Sequence, residues 1–439
     1  EMSTSDWSSD VCSSDLSVKM EISRICERAR LASAALAGAS TDAKNACLAR
    51  LAALLEENCA DIVAVNAADA ADGKLALTEA MVDRLTLNED RIRSIAADVR
   101  AVVSLPDPVG EVFEKRVHPN GLRIEKRRVP IGVAAVLYES RPNVTVDAAS
   151  LMIKAGNAVI LRGGKETIRT NRILIELIHR ALRETGLTED SVQFIDSPDR
   201  ALMLELLHQD AFVDIVIPRG GSGLHRFCRE NSRIPVITGG IGVCHLFVDA
   251  SADLPKAAAV VRNAKVQRPT VCNALETLLV HRAIASEFLP EVCRDLTGRG
   301  VEFRVDNKAR QILLDAGINP ARIQPAGPDD YDTEWLSLVL SIRVVDDLDS
   351  AISHIQGHST GHSDGILTGE LENARVFTNR VNSACVYVNA STRFTDGSQL
   401  GLGAEIAIST QPLHARGPMA LRELTTYKWV IQGDYQVRL

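Results

Sequence analysis

Several features that mark other protein classes are absent from this 439-residue sequence. No apolar run approaches the roughly 18–20 residues that a membrane-spanning helix requires. Positive charge is not in excess, since the net charge is −8, whereas nucleic-acid-binding surfaces are basic. With 46% hydrophobic residues, the composition is that of a globular protein. We therefore expect no membrane partner, no nucleic-acid partner, and small-molecule substrates.

Paired cysteine and histidine motifs are also missing. The nine cysteines contain no CxxC pair, so we interpret them as reduced thiols in the cytoplasm rather than as a disulfide framework. His354, His358 and His362 recur every four residues, but glycines interrupt the pattern and no carboxylate ligand accompanies it. We expect no metal site.

The N-terminal half contains two contrasting patterns. Residues 1–19 are rich in Ser and Asp and lack helical periodicity, so we expect a disordered extension that is not native. Ala and Leu recur at helical spacing within 20–103. Charged and apolar residues then alternate in 111–118 and 122–129 on either side of an Asn-Gly turn, which predicts a projecting β-hairpin that pairs with another chain.

Short apolar runs alternate with helical stretches through the rest of the chain. Runs of this kind occupy 131–138, 158–162, 192–195, 213–217, 244–248, 275–280, 341–345 and 386–389. Buried strands that alternate with helices predict an α/β fold with a doubly wound parallel sheet, whose ligands bind at the carboxyl ends of the strands.

Two glycine-rich loops and one cysteine stand out at predicted strand ends. Gly163, Gly164 and Lys165 follow one strand, and Gly220 and Gly221 follow another. Glycines let the main chain approach a phosphate closely, so the pair of loops favours a dinucleotide, although either loop alone is equally compatible with a plain tight turn.

Cys272 differs from the other cysteines because it follows a polar approach that contains Arg268 and a proline. A thiol on a loop beside a cation is a candidate nucleophile, with a structural thiol as the alternative.

Longer segments match a known family. They are 127–133, 138–147, 156–166, 237–245, 264–269, 272–273, 362–367 and 388–397. Together they resemble the gamma-glutamyl phosphate reductase family, which belongs to the aldehyde dehydrogenase superfamily and acts in the second step of proline biosynthesis. The resemblance runs from about residue 20 to the C-terminus.

The resemblance implies an aldehyde-dehydrogenase-like α/β fold. It has a Rossmann-type doubly wound cofactor domain, an α/β catalytic domain and a small β oligomerisation element. We place the NADP-binding domain at 20–106 and 129–249 and the catalytic domain at 250–404. The oligomerisation hairpin and C-terminal strand are placed at 107–128 and 405–439, so a homo-oligomer is expected.

The resemblance also implies roles for individual residues. Cys272 is the nucleophile that attacks L-glutamate 5-phosphate, and Asn143 stabilises the oxyanion. Glu334 holds the nicotinamide ribose of NADPH. A further set of residues is expected to bind the remainder of the cofactor: Arg162, Gly163, Gly164, Lys165, Gly220 and Gly221. Four arginines are candidates for the carboxylate and phosphate of the substrate: Arg141, Arg268, Arg393 and Arg416.

Two departures from the wider superfamily refine the chemistry. Ile237 stands where hydrolysing aldehyde dehydrogenases have the glutamate that activates water, so the thioester is expected to survive until hydride arrives. Lys165 replaces a carboxylate that would repel a ribose 2′-phosphate, which favours NADPH over NADH.

Two other functions are weighed against the reductase. A hydrolysing aldehyde dehydrogenase is disfavoured by Ile237, and a non-catalytic paralogue is disfavoured because Cys272, Asn143 and Glu334 are all present. The family also implies a functional association with glutamate 5-kinase.

Overall fold

The computed structural model describes residues 7–74, 77–239 and 241–438. Within these ranges it describes side chains from residue 20 onward, except at 79 and 80. The chain divides into two units. The first unit ends at Thr238 and is completed by Leu402–Ala407 and the C-terminal segment from Met419. The second comprises Gly239–Gly401 and Ile408–Pro418. Of the predicted C-terminal element 405–439, residues 408–418 therefore belong to the second unit.

The helical pattern of the N-terminal region forms five helices. These are α1 (Trp7–Ala37), α2 (Thr41–Glu57), α3 (Cys59–Gly73), α4 (Glu79–Leu85) and α5 (Glu89–Ser104). Because α1 begins at Trp7, residues 7–19 are helical and the prediction of disorder there is wrong; residues 1–6 lie outside the described residues. Once buried residues such as Ile22 and Cys26 hold a helix in place, each further residue adds one hydrogen bond at little cost.

The first unit contains the predicted parallel sheet. Its strands are β3 (Val133–Tyr138), β4 (Ala158–Arg162), β5 (Val192–Phe194) and β6 (Ile215–Arg219), and its helices are α6 (Asn143–Lys154), α7 (Ile168–Glu184), α8 (Arg200–Leu206) and α9 (Ser222–Asn231). All pairings are parallel, in the order β5-β4-β3-β6. The chain builds outward from β3 in one direction and then crosses to β6, so the topological switch point lies between β3 and β6.

The predicted hairpin is confirmed as part of a separate antiparallel sheet. Strands β1 (Val112–Val117) and β2 (Arg123–Pro130) are joined through the Asn-Gly turn, where Gly121 has a φ of +89° that favours glycine. The C-terminal strand β16 (Thr425–Gln432) pairs with β2, which gives the order β1-β2-β16.

The second unit contains a seven-stranded parallel sheet in the order β10-β9-β11-β8-β7-β12-β13. Its strands are β7 (Cys244–Val248), β8 (Leu275–His281), β9 (Glu302–Val305), β10 (Ile323–Pro325), β11 (Val339–Val345), β12 (Ser363–Leu367) and β13 (Cys385–Val388). Two short strands that follow in the chain, β14 (Ile408–Ser409) and β15 (Gly417–Pro418), form a separate antiparallel pair. The helices are α10 (Leu254–Val266), α11 (Arg282–Gly298), α12 (Asn307–Asp315), α13 (Leu348–His358) and α14 (Leu371–Arg380).

One predicted boundary differs from the structure. We expected the cofactor domain to extend to residue 249 and to include strand 244–248, but β7 pairs with β8 and β12 in the second unit. A fully buried apolar strand carries no mark of the sheet it joins, so the sequence pattern could not separate the two sheets. No helix in the described ranges is long and apolar enough to cross a membrane.

Candidate active site

Cys272 lies on the turn between α10 and β8 of the second unit and is half-buried. Its carbonyl oxygen accepts a hydrogen bond from Cys244 Sγ at 3.2 Å. The next residue anchors the turn on its other side, because Asn273 Nδ2 donates to the carbonyl of Thr395 at 2.9 Å and the Asn273 carbonyl accepts from Thr392 Oγ1 at 2.7 Å. The cysteine is thus held on a fixed turn just before β8, an interior strand of the sheet.

Gly242 is the point at which the Cys272 turn and Glu334 meet. A Cβ atom at position 242 would lie 1.5 Å from the Cys272 carbonyl oxygen, so only glycine fits. The Gly242 N–H donates to Glu334 Oε1 at 2.8 Å. Two of the predicted site residues, from different parts of the sequence, are therefore brought to one glycine.

Arginine side chains place positive charge near Cys272. Burial lowers the pKa of Arg393, and the neighbouring charge of Arg268 lowers it further. The charge of Cys272 raises the same pKa. Arg393 Nε also donates to Gln267 Oε1 at 3.0 Å, which ties it to the approach of the same turn. Cations beside a thiol favour its thiolate, the form that acts as a nucleophile.

Several other cysteines are in environments that suppress the thiolate. Burial raises the pKa of Cys47 to about 11 and the pKa of Cys26 to about 12. The pKa of Cys244 is raised well above its usual value by burial and by the charges of Asp364 and Cys272. These thiols behave as the small buried hydrophobes that were expected.

The carboxyl end of β4 carries the first glycine-rich loop. A Cβ at Gly163 would lie 2.2 Å from Asn171 Nδ2, so the chain passes too closely there for a side chain. Glu166 Oε1 accepts hydrogen bonds from Ser140 N at 2.6 Å and from Ser140 Oγ at 2.8 Å, which ties this loop to the end of β3. Lys165 is exposed beside it.

The carboxyl end of β6 carries the second loop, across the switch point from β3. A Cβ at Gly220 would lie 2.4 Å from Glu139 Oε2. The same Glu139 oxygen accepts from Gly221 N at 3.0 Å, and α9 begins at the next residue. Glycine-rich backbone at the switch point, followed by a helix N-terminus, fits the phosphates of a dinucleotide.

Asn143 begins α6, which follows β3 in the first unit. Its Nδ2 donates to Asp147 Oδ2 at 2.8 Å, which fixes the orientation of the amide. Burial raises the pKa of Asp147 to about 6, and the Asn143 hydrogen bond partly offsets this. Arg141 is half-buried just before this helix.

Two predicted site arginines hold main-chain oxygens. Arg162 donates to the carbonyl of Pro198 at 2.9 Å, and burial lowers its pKa. Arg416 donates to the Asn382 side chain at 2.8 Å and also to the Asn382 carbonyl. These contacts give Arg162 and Arg416 structural tasks, whereas Arg393 is coupled electrostatically to both Arg268 and Cys272.

Comparison with known proteins places the chain in a family. The model of the aldehyde dehydrogenase family matches residues 8–310. The gamma-glutamyl phosphate reductase of Roseiflexus castenholzii is 57% identical over 420 residues, which cover 95% of this chain and 99% of that protein. The chain belongs to the aldehyde dehydrogenase family, and within it to the gamma-glutamyl phosphate reductases.

Solved structures of the aldehyde dehydrogenase family agree with this assignment. The crystal structure of gamma-glutamyl phosphate reductase from Thermotoga maritima is 47% identical, covers 95% of this chain and 100% of its own, and superimposes with a TM-score of 0.92. An engineered glycolyl-CoA reductase with bound NADP+ shares the fold at 15% identity, with a TM-score of 0.66, covering 93% of this chain and 96% of its own.

Some residues that shape this aldehyde dehydrogenase site were not predicted. Gly242 lies in a matched segment but was assigned no role. The Gly-rich run before the apolar strand is the sequence pattern that could have indicated a close approach of the main chain. Lys265 Nζ and Glu276 Oε2 form an ion pair at 2.6 Å beneath the Cys272 turn. Burial raises the pKa of Glu276 to about 7 against the effect of Lys265, whose own pKa is lowered by burial. The sequence alone does not distinguish Lys265 or Glu276 from a charged residue on the surface.

Replacing Gly242 tests whether its close contact with the Cys272 turn is required for activity. The Gly242→Ala methyl group would overlap a main-chain carbonyl that can move only with the Cys272 turn. We expect kcat/KM for aldehyde-dependent NADP reduction to fall by about 100-fold or more, because small displacements of reacting groups are costly.

Gly357→Ala is the matched control, since a Cβ there meets open space in α13. It should leave kcat/KM within about twofold of the wild type. Near-normal activity of Gly242→Ala would show that the turn is not constrained as described.

Proposed function

We propose that the chain reduces L-glutamate 5-phosphate to L-glutamate 5-semialdehyde with NADPH and releases phosphate, as the second step of L-proline biosynthesis in the cytoplasm. The observation that carries the proposal is the position of the half-buried Cys272. Its turn packs against Gly242, whose N–H donates to Glu334, and Arg393 is coupled electrostatically to Cys272. The close relatives named gamma-glutamyl phosphate reductase support the choice of substrate.

Covalent catalysis by Cys272 accounts for the release of phosphate. The thiolate attacks the acyl carbon, the C–O bond to phosphate breaks, and a thioester remains on the enzyme. NADPH, when bound, supplies the hydride for this thioester. The resulting thiohemiacetal collapses, the semialdehyde leaves, and the Cys272 thiolate is regenerated.

Asn143 is proposed as an oxyanion donor, as membership of the family implies. An amide nitrogen carries two hydrogens, and Asn143 gives one to Asp147, so the other is directed by a fixed side chain. Donors held in place before charge develops cost no reorganisation during the reaction. Glu334 is proposed to hold the nicotinamide ribose next to Cys272.

The residue at position 237 argues against a hydrolysing enzyme. Ile237 is buried and apolar, so it supplies no base for a water molecule. A thioester without an activated water persists until hydride or phosphate reaches it, as an acyl-phosphate reductase requires.

Cofactor preference is assigned to Lys165. Its ammonium group is exposed in the first turn after β4, whereas the neighbouring Glu166 carboxylate is engaged by Ser140. A ribose 2′-phosphate would therefore meet a cation rather than a carboxylate. The loop glycines Gly163, Gly164, Gly220 and Gly221 are proposed to admit the pyrophosphate.

Substrate charge is assigned to arginines beside the nucleophile. Arg268 and Arg393 are proposed to bind the phosphate and carboxylate of the substrate, because Arg393 is coupled electrostatically both to Arg268 and to Cys272. Arg141, next to the helix of Asn143, remains a candidate, while Arg416 is engaged with Asn382. An association with glutamate 5-kinase would supply the acyl phosphate directly.

The three-stranded sheet is proposed as the contact between copies of this chain. Tyr427, Trp429 and Ile431 lie at alternate positions of β16 and are exposed, Trp429 at 46% and Ile431 at 58%. Tyr427 packs edge-on against Phe113 of β1, so the aromatic surface is continuous across the sheet. Apolar surface at an edge strand favours pairing with a second chain.

Phosphate dependence tests the reaction directly. With L-glutamate 5-semialdehyde and NADP, the wild type should form NADPH continuously only when inorganic phosphate is present, because without phosphate the reaction stops after one NADPH per site. Cys272→Ser should lower this rate by roughly 10³-fold or more, because it removes the nucleophile, and should still bind NADPH by fluorescence titration. Cys59→Ser, at the start of α3, is the control. Turnover without phosphate that yields glutamate would indicate a hydrolysing enzyme.

Charge reversal at Lys165 tests cofactor preference. Lys165→Glu should shift the ratio of kcat/KM for NADPH and NADH toward NADH by about tenfold or more, since a carboxylate repels the 2′-phosphate. Lys256→Glu, at an exposed position on α10, should leave the ratio unchanged. An unaltered ratio in Lys165→Glu would place 2′-phosphate recognition elsewhere.

Light scattering tests the association surface. We expect an oligomer for the wild type and a lower mass for Ile431→Glu, which places a charge on the exposed face of β16. Leu371→Glu, at an exposed position on α14, should keep the wild-type mass. A monomeric wild type would contradict the assignment.

A further inference from the structure

Lys265 and Glu276 form an ion pair that is removed from water on all sides. The side chains are 0% and 1% exposed, and Lys265 Nζ lies 2.6 Å from Glu276 Oε2. Replacing a buried ion pair by apolar residues is often neutral or stabilising, so stability alone is a weak reason for its presence. A positioning role is the stronger explanation.

The pair reaches the segment that carries Glu334. The second oxygen of Glu276, Oε1, accepts a hydrogen bond from the main-chain N–H of Leu336 at 3.3 Å. Leu336 has a φ of +49°, a left-handed conformation that a leucine adopts only where its surroundings hold it. Beside it, Trp335 Nε1 donates to Ser341 Oγ at 3.1 Å, so the segment is fixed from two directions.

The pair also spans the turn of the nucleophile. Lys265 lies in the last turn of α10, before Cys272, and Glu276 lies in β8, just after it. The ion pair therefore joins the two ends of the Cys272 turn, and the Leu336 hydrogen bond connects that junction to the Glu334 segment. Gly242 makes the second connection between the same two segments.

We infer that Lys265 and Glu276 are positioning residues that set Glu334 relative to Cys272. The pair fixes the turn, and Glu276 fixes the Glu334 segment through the Leu336 N–H. The inference rests on the proposed function for what Glu334 binds. It assigns the pair no contact with substrate or cofactor.

Two double variants separate the hydrogen bond from the charge. Lys265→Met with Glu276→Gln removes both charges but keeps an acceptor for Leu336, whereas Lys265→Met with Glu276→Met removes the acceptor as well. We expect KM for NADP and Kd for NADPH to rise roughly five- to tenfold in the second variant and roughly two- to threefold in the first, which loses the ion pair across the turn but keeps the Leu336 hydrogen bond. The double substitution Lys44→Met with Asp107→Asn, at the buried pair of the first unit, controls for the loss of a buried ion pair.

A double-mutant cycle with Glu334→Gln shows whether the effect passes through Glu334. In the Glu334→Gln background, the methionine pair should cause no further rise in KM or Kd, because independent effects would multiply. If that pair fails to fold, Lys265→Met with Glu276→Leu, which also removes the acceptor for Leu336, completes the same cycle with Glu334→Gln. Multiplying effects, or equal KM and Kd in the two double variants, would overturn the inference.

Failure of the proposed function gives a different result. A wild type that lacks phosphate-dependent NADP reduction contradicts the reductase, whereas the NADPH Kd values still report on the Lys265–Glu276 pair. A wild type with that activity and multiplying effects contradicts only the positioning role.

Discussion

The close approach of the chain at Gly242 is the constraint on which the candidate site in the second unit depends. With no side chain there, the Cys272 carbonyl can pack against its Cα, and the Glu334 carboxylate can accept its N–H. The Cys272 turn and Glu334, which come from distant parts of the sequence, are thereby set by one residue of main chain. The buried pair Lys265–Glu276 fixes both partners from the other side.

The first unit uses the same principle with different residues. Glu139 and Glu166 accept hydrogen bonds from Gly221 and Ser140, and both carboxylates occupy space that a Cβ on a loop glycine would need. Carboxylates thus hold both glycine-rich loops in shape at the carboxyl ends of β4 and β6.

Much of the fold was predictable because periodicity reports burial. The parallel strands, the hairpin at Asn120-Gly121 and the helical N-terminal region each carry a local pattern. The membership of strand β7 was not predictable, because a strand buried on both faces looks alike in either sheet. Helix α1 extends N-terminally beyond its periodic part, because adding a residue to an existing helix costs less than starting one.

The site was predictable to the level of candidates. The sequence provided the candidates Cys272, Glu334, Asn143 and the loop glycines. It could not show which arginines bind main-chain oxygens and which lie near Cys272, because that depends on their contacts in the fold. Gly242 and the Lys265–Glu276 pair were missed because steric fit and buried charge depend on residues far apart in the chain.

The most direct test of covalent catalysis at Cys272 is the intact mass of the enzyme after rapid quenching. With L-glutamate 5-semialdehyde and NADP but no phosphate, one acyl adduct should form, map to Cys272 and disappear when inorganic phosphate is added. An adduct on another cysteine, or one that decays to free glutamate at the same rate without phosphate, would contradict the mechanism.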